Sequence, residues 1–97
     1  MRQPRTIQLS KQAQLVSGNL QIATSSRDEE YNGILIWLGN FNERLKYDPV
    51  ETLGKPFASH PGRRIERQTV SKCIVEVIFD ISADNHIIQL IEINFSE

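Results

Sequence analysis

The sequence is poor in the residues that build disulfide frameworks and metal centres. It has one cysteine, two histidines, five glycines and four prolines among 97 residues. A lone cysteine cannot form an internal disulfide, which argues against an extracellular scaffold stapled by disulfides. We expect one domain over residues 1–97 with a modest core, and a reducing cytoplasm fits the free thiol.

The chain also lacks an excess of charge of either sign. Eleven lysines and arginines against twelve acidic residues give a formal net charge of −1. A charge this small removes the general attraction to phosphate that a basic domain shows, so nucleic-acid binding would need a local patch. No apolar run approaches the roughly 20 residues that span a bilayer, and residues 1–5 lead into no hydrophobic signal region. We therefore expect no membrane partner.

The N-terminal part predicts a short strand followed by a helix. Residues 6–10 alternate polar and apolar side chains, and Ser10 is then placed to cap a helix. The apolar side of that helix would carry Ala13, Val16, Leu20 and Ala23. A hairpin that turns at residues 17–19 is the alternative, because the flanking residues also alternate. We favour the helix.

A longer helix is predicted between a capping box at Ser26 and Glu29 and the stop signal Asp48-Pro49. One apolar stripe at helical spacing contains Tyr31, Ile34, Leu35, Leu38, Phe41 and Leu45. Trp37 lies beside this stripe. We place Trp37 at the margin of the core, with an exposed patch as the alternative.

Residues 48–64 predict a long surface loop, because three prolines and two glycines interrupt any regular pattern. Long loops inside compact domains are often functional. The stretch from His60 to Arg64 is therefore the first place to look for a site.

The C-terminal third predicts three consecutive strands, over residues 65–70, 73–81 and 86–95. The predicted inner faces carry Cys73, Val75, Val77, Phe79 and Ile81 in the second strand and Ile87, Ile91, Ile93 and Phe95 in the third. The fold class is then α+β. We expect a small, mostly antiparallel sheet with one or two N-terminal helices on one face, in the order strand-helix-helix-strand-strand-strand.

This element order resembles the RelE/ParE superfamily of bacterial toxin–antitoxin toxins. The resemblance also rests on the Asp48-Pro49 to Pro56 loop, the Gly62-Arg63-Arg64 strand entry, and the 77–81 strand with the turn that follows it. It covers most of the chain and makes residues 1–97 a divergent RelE/ParE-like domain. It implies a stress-response toxin that binds the ribosome with its mRNA, or DNA gyrase. An acidic antitoxin-like protein or peptide would neutralise it in a hetero-oligomer, and a homodimer is the other assembly considered.

The nuclease branch of that family uses basic side chains together with a C-terminal His or Tyr. Arg63 and Arg64 match the basic strand entry, but Glu76 and Phe79 stand where Arg and Tyr are common, and the tail carries Asn94 and Phe95. Asn and Phe cannot exchange a proton near neutral pH. We therefore assign no catalytic residue and expect no ribosome-dependent mRNA cleavage. The alternative function is a non-catalytic α+β protein-interaction domain.

The densest positive cluster is the candidate binding site. It consists of Arg63, Arg64, Arg67, His60 and Lys72. Guanidinium groups suit RNA, DNA or an acidic peptide, and we predict an acidic partner on this surface. The alternative is a strand edge kept soluble by charge. The two histidines and the glycine spacing match no metal or nucleotide motif, so we expect no cofactor and no metal.

Overall fold

The computed structural model describes residues 3–16, 18, 29–56, 60, 62–70 and 72–96, with 29–31 described by their backbone alone. The described elements are β1 Thr6–Leu9, α1 over 11–16 and 18, α2 Glu29–Tyr47, β2 Lys55–Pro56, β3 Arg63–Val70, β4 Cys73–Ile81 and β5 Ile87–Ser96. A 3₁₀ turn, Val50–Thr52, lies between α2 and β2. The predicted α+β class is confirmed, and the predicted element order holds except that the two-residue strand β2 is added before β3.

The strands form one mixed sheet in the order β1-β5-β4-β3-β2. β3, β4 and β5 make the predicted antiparallel meander, and β2 adds two residues to the outside of β3. β1 pairs with β5 in parallel. The first strand therefore lies beside the last, at the sheet edge farthest from β2.

Ser10 ends β1 and begins α1. Its hydroxyl accepts a hydrogen bond from Ala13 N at 3.1 Å, as an N-cap does, and donates to Ile91 O at 2.5 Å. The helix prediction is confirmed over 11–16, and the hairpin alternative is wrong there. Ala13 is fully buried and Val16 packs against the core. The expected positions of Leu20 and Ala23 lie outside the described residues.

α2 ends at Tyr47, directly before the predicted Asp48-Pro49 stop. The described side chains of its stripe face inward, with Ile34, Phe41 and Leu45 buried and Leu35 and Leu38 partly buried. The Tyr31 side chain of the predicted stripe lies outside the described residues. Trp37 stacks on Phe41 at a centroid distance of 5.2 Å, which confirms its place at the margin of the core. Ser26 of the predicted capping box lies outside the described residues.

Arg5 fastens the C-terminus of α2 to the sheet. Its Nη1 donates to Leu45 O at 2.7 Å, and its main-chain N donates to Lys46 O at 3.1 Å. These bonds satisfy carbonyls that the end of a helix leaves without an intrahelical partner. Arg5 Nε also donates to Asn85 O at 3.0 Å, so the same side chain holds the β4–β5 turn against the helix.

The core lies between the helices and one face of the sheet. Its buried members are Ala13, Ile34, Phe41, Leu45, Leu53, Cys73, Val75, Val77, Phe79, Ile88, Leu90 and Ile93. The predicted inner face of β4 is confirmed, with Ile81 partly buried at its end. No helix in the described part of the chain has the length and apolar character needed to cross a membrane.

β5 departs from the predicted inner face at its start. Ile88 and Leu90 are buried, whereas Ile87 is 40% exposed, so the prediction is wrong for Ile87. Farther along, Ile93 is buried and Phe95 packs against the core, as predicted. The buried positions thus change from even to odd numbers within one strand.

A β-bulge causes this change. Phe79 pairs with Leu90, but the preceding Ile78 pairs with Glu92, which leaves Ile91 as an extra residue. One extra residue reverses which side chains point to each face of the strand. A strict alternation read from the sequence therefore cannot hold along the whole of β5.

The described residues of the segment 48–64 are more regular than the predicted surface loop. It contains the 3₁₀ turn and β2, and β3 begins at Arg63 rather than at Ile65. Leu53 is fully buried. The apolar Leu53 side chain anchors the segment against the core, which fixes the backbone that follows it.

Candidate binding surface

The predicted arginines lie on both faces of the sheet. Arg64 is opposite Phe79, a core residue, so Arg64 lies on the helix-covered face. Arg63 and Arg67 are opposite Asp80 and Glu76 and therefore lie on the other face, called here the open face. Neighbouring side chains alternate in direction along a strand, so the adjacent Arg63 and Arg64 cannot act as one patch on one face.

The open-face arginines form ion pairs with their cross-strand neighbours. Arg63 Nε lies 3.2 Å from Asp80 Oδ1. Arg67 Nε and Nη2 both donate to Glu76 Oε2, at 3.0 and 2.6 Å. Opposite charges on directly paired residues support the sheet and reduce the positive field of this face. Glu76 therefore serves as the counter-ion of Arg67. The RelE/ParE resemblance leads us to expect an arginine at this position.

Arg64 holds the backbone of the preceding segment. Its Nε donates to Leu53 O, and its Nη2 donates to Gly54 O at 3.0 Å. The planar guanidinium group can reach two carbonyls at once, which a lysine ammonium cannot do in the same geometry. Arg64 is thus committed to fixing the turn into β2.

Gly54 completes that turn. Its φ is +64°, and a Cβ built there would lie 2.5 Å from Ile65 O. Only glycine combines this backbone conformation with so close an approach to β3. Arg64 and Gly54 together bring β2 alongside the first half of β3.

His60 joins Arg63 and Arg64 around one cavity. These three residues and Ser82 are among those that line a space of about 310 Å³. His60 O also accepts a hydrogen bond from Arg63 N at 3.1 Å. Lys72 lies beyond the other end of β3, about 25 Å away for an extended strand of this length. The structure therefore brings together His60, Arg63 and Arg64, and separates Lys72 from them.

The turn next to this cavity carries a stabilised carboxylate. Asp84 Oδ1 accepts hydrogen bonds from Ser82 Oγ at 2.6 Å and from His86 N at 3.1 Å. The Ser82 bond, followed by the His86 bond, lowers the pKa of Asp84 below its ordinary value of 3.8. A carboxylate held ionised in this way supports the turn and is a poor proton donor.

Phe79 and Asn94, which depart from the RelE/ParE pattern, contact neighbouring side chains. Phe79 is fully buried and contacts Phe41 edge to face at 5.8 Å. Asn94 is exposed and donates to Glu92 at 3.3 Å. Neither side chain can take up or release a proton near neutral pH.

Sequence reasoning missed the outer edge of β3. β2 pairs only with Arg64 and Ile65, so in the described chain β3 continues beyond its neighbour. A groove of about 540 Å³ runs along this edge. It is lined by Lys55, Ile65, Glu66, Arg67, Gln68, Thr69 and Ile74. The sequence did contain a signal for this edge. The residues of β3 are mostly polar, and the strand that pairs with it, β2, contains Pro56, which has no backbone N–H.

No cluster of three or more metal-binding side chains occurs among the described residues. Comparison with protein-family models, curated proteins and solved structures finds no match to this chain.

Proposed function

We propose that this chain is a protein-binding domain that acts by association, without catalysing a reaction. The open face of the sheet carries the proposal. It combines paired charges, Arg63 with Asp80 and Arg67 with Glu76, with the exposed apolar side chains of Ile74 and Ile87. Protein interfaces combine apolar contacts with complementary charges in this way.

A nucleic-acid partner fits this face less well. Phosphates approaching Arg63 or Arg67 would also meet Asp80 and Glu76. Proteins that bind the phosphate backbone instead present uncompensated lysines and arginines along the path of the strand. The net charge of −1 adds no long-range attraction.

Matched photo-crosslinking tests this function. A photo-crosslinking amino acid is placed at Ile74, which is 42% exposed on the sheet, or at Ile36, which is 60% exposed on α2. Irradiation in the source cell should give one discrete protein adduct from position 74 and none from position 36. The adducted protein is identified by mass spectrometry, and binding is reconstituted from the two purified proteins.

Two results would contradict the proposal. One is a nuclease-sensitive adduct at position 74, which would make the partner a nucleic acid. The other is codon-specific cleavage of mRNA when the purified chain is added to a translating extract, absent from a heat-denatured control. The second result would make the protein an enzyme.

A toxin of a bacterial toxin–antitoxin module is the second candidate function. Apart from the additional two-residue strand β2, the fold has the strand-helix-helix-strand-strand-strand order on which the RelE/ParE resemblance rests, which favours this candidate. In that case the partners are an acidic antitoxin and either the ribosome with its mRNA or DNA gyrase. Growth arrest on induction in a bacterium, relieved by coexpression of the adjacent gene, is the expected result. Unchanged growth at confirmed expression would contradict it.

A further inference from the structure

Among the residues that the structure describes, no strand pairs with part of the outer edge of β3. Beyond Ile65, where β2 ends its pairing, β3 continues through Arg67, Gln68 and Thr69, and all three residues are exposed. An edge of this kind presents N–H and C=O groups that another extended segment can bind.

The hydrogen bonds define which residues point outward. Gly62 O accepts from Ile81 N at 3.2 Å, which directs the main chain of Gly62 toward β4. Because the direction alternates along an antiparallel strand, the even-numbered residues of β3 bond to β4 and the odd-numbered ones point away from it. Arg63 confirms this, since its N donates to His60 O on the outer side.

Arg67 and Thr69 therefore direct their main-chain groups out of the sheet. In the described part of the chain, neither residue has a strand neighbour on that side. Thr69 O receives a long contact of 3.4 Å from Gln68 Nε2, which an incoming N–H could replace. Two N–H and two C=O groups spaced two residues apart match the pairing repeat of an added antiparallel strand.

The charges exposed along this edge are positive. Lys55 and Lys72 are exposed near its two ends, and the Arg67 side chain in the middle is 65% exposed. The nearby carboxylates are less accessible, because Glu66 and Glu76 are 20% and 23% exposed and lie against Arg44 and Arg67. An incoming strand therefore meets exposed Lys55 and Lys72 at the two ends and, between them, an Arg67 whose charge Glu76 offsets in part.

We propose that the β3 edge binds an extended acidic segment of another protein as an added strand; this rests on the proposed protein-binding function and names its surface and partner chemistry. Acidic side chains on the added strand would face Lys55, Arg67 and Lys72. A second copy of this chain fits less well, because it would bring the same cations against the same edge.

A synthetic peptide in which glutamate alternates with valine probes the edge, and the same peptide with lysine in place of glutamate is its control. Binding is followed by the ¹H–¹⁵N spectrum of the full chain. The glutamate peptide should shift and protect the amides of Arg67 and Thr69. Its Kd should be lower than that of the lysine peptide by about tenfold or more.

Two variants separate backbone pairing from charge. Thr69→Pro removes an outward N–H while leaving the bonds to β4, and it should abolish binding of the glutamate peptide. Lys55→Glu combined with Lys72→Glu tests the charges without altering the β3 backbone, and should weaken binding about tenfold. Lys11→Glu makes the same kind of charge change at the start of α1, beyond the opposite sheet edge, and should leave binding unchanged.

Equal binding of the two peptides, or amide shifts that map away from β3, would overturn the strand-addition proposal. Protection of Arg67 and Thr69 that rises with protein concentration, together with a dimer in sedimentation, would assign the edge to a second copy instead. If the glutamate peptide does not bind but the crosslink from position 74 is observed, the protein-binding function is retained and only the assignment of the β3 edge is refuted. If neither the peptide binding nor the Ile74 crosslink is observed, both the edge assignment and the protein-binding function are refuted.

Discussion

The side-chain amide of Gln12 forms a two-way hydrogen-bond pair with the main chain of Ile93, 81 residues away in sequence. Gln12 Nε2 donates to Ile93 O at 3.0 Å, and Ile93 N donates to Gln12 Oε1 at 2.9 Å. β1 ends at Leu9, before it can pair with this part of β5. The Gln12 side chain therefore takes the place of a neighbouring strand after the bulge.

Replacing Gln12 by alanine should reduce the free energy of unfolding by about 1–3 kcal/mol, because a part-buried N–H and C=O of Ile93 would lose their partners. Gln14→Ala is the control, since Gln14 makes one exposed bond to Leu9 O, and it should cost less than about 0.5 kcal/mol. Urea unfolding measures both. Equal losses for the two variants would show that the Gln12 pair contributes nothing specific.

Two glycines should respond to alanine with opposite signs. Gly54→Ala should destabilise the fold by about 2–4 kcal/mol, because it combines a φ of +64° with a Cβ 2.5 Å from Ile65 O. Gly39 lies inside α2, and among the described residues no atom outside the adjoining helix backbone lies within 4 Å of an added Cβ, so Gly39→Ala should stabilise by about 0.5–1 kcal/mol. Thermal and urea unfolding measure the sign of the change in the free energy of unfolding for each variant. A stabilising Gly54→Ala would contradict the described turn.

Side-chain periodicity was sufficient to predict the elements that pack on one side. β4 has the predicted bounds and inner face, and α2 ends where Asp48-Pro49 predicts. Both predictions use only residues close together in the sequence, because they depend on the spacing of the apolar side chains that are buried and on the proline that ends the helix. The bulge at Ile91 is not local, because it depends on how β5 registers against β4, so the face of Ile87 could not be predicted.

The candidate site was predictable only as a set of residue types. The sequence placed Arg63, Arg64 and Arg67 close together in the chain, but their roles depend on cross-strand partners. Asp80 and Glu76 come from β4, and the carbonyls bound by Arg64 come from the segment before β2. The part of the β3 edge that no described strand covers depends on the length of β2, which no side-chain pattern determines.

The β4–β5 turn should weaken in acid through Asp84. Hydrogen bonds from Ser82 and then His86 lower the pKa of Asp84 below 3.8, so the native state favours the ionised carboxylate. The stabilisation is therefore present above the unfolded pKa of 3.8 and is lost as the pH falls through the lower folded value.

An NMR titration of the Asp84 carboxyl carbon tests this directly. Ser82→Ala should raise the pKa of Asp84 toward 3.8, because it removes the hydrogen bond that lowers this pKa most. The stability difference between the native chain and Asp84→Asn should shrink as the pH falls below about 4. A pKa unchanged by Ser82→Ala would mean that the turn does not depend on this bond.

Amide hydrogen exchange should alternate along β3. The N–H groups of Glu66 and Gln68 point to β4 and should be protected, whereas those of Arg67 and Thr69 point outward and should exchange at least about tenfold faster. Two adjacent residues of β4, Glu76 and Val77, form an internal control. Each has a strand neighbour on the side its N–H faces, so both should exchange slowly.

This alternation separates an open edge from a covered one before any partner is known. Exchange followed by ¹H–¹⁵N spectra at low protein concentration gives the rate at each position. Slow exchange at all four positions from 66 to 69 would mean that another segment already pairs with the edge. Fast exchange at all four would mean that β3 separates from β4, which would contradict the register of the meander. Only the alternating result agrees with a formed strand whose outer side is free.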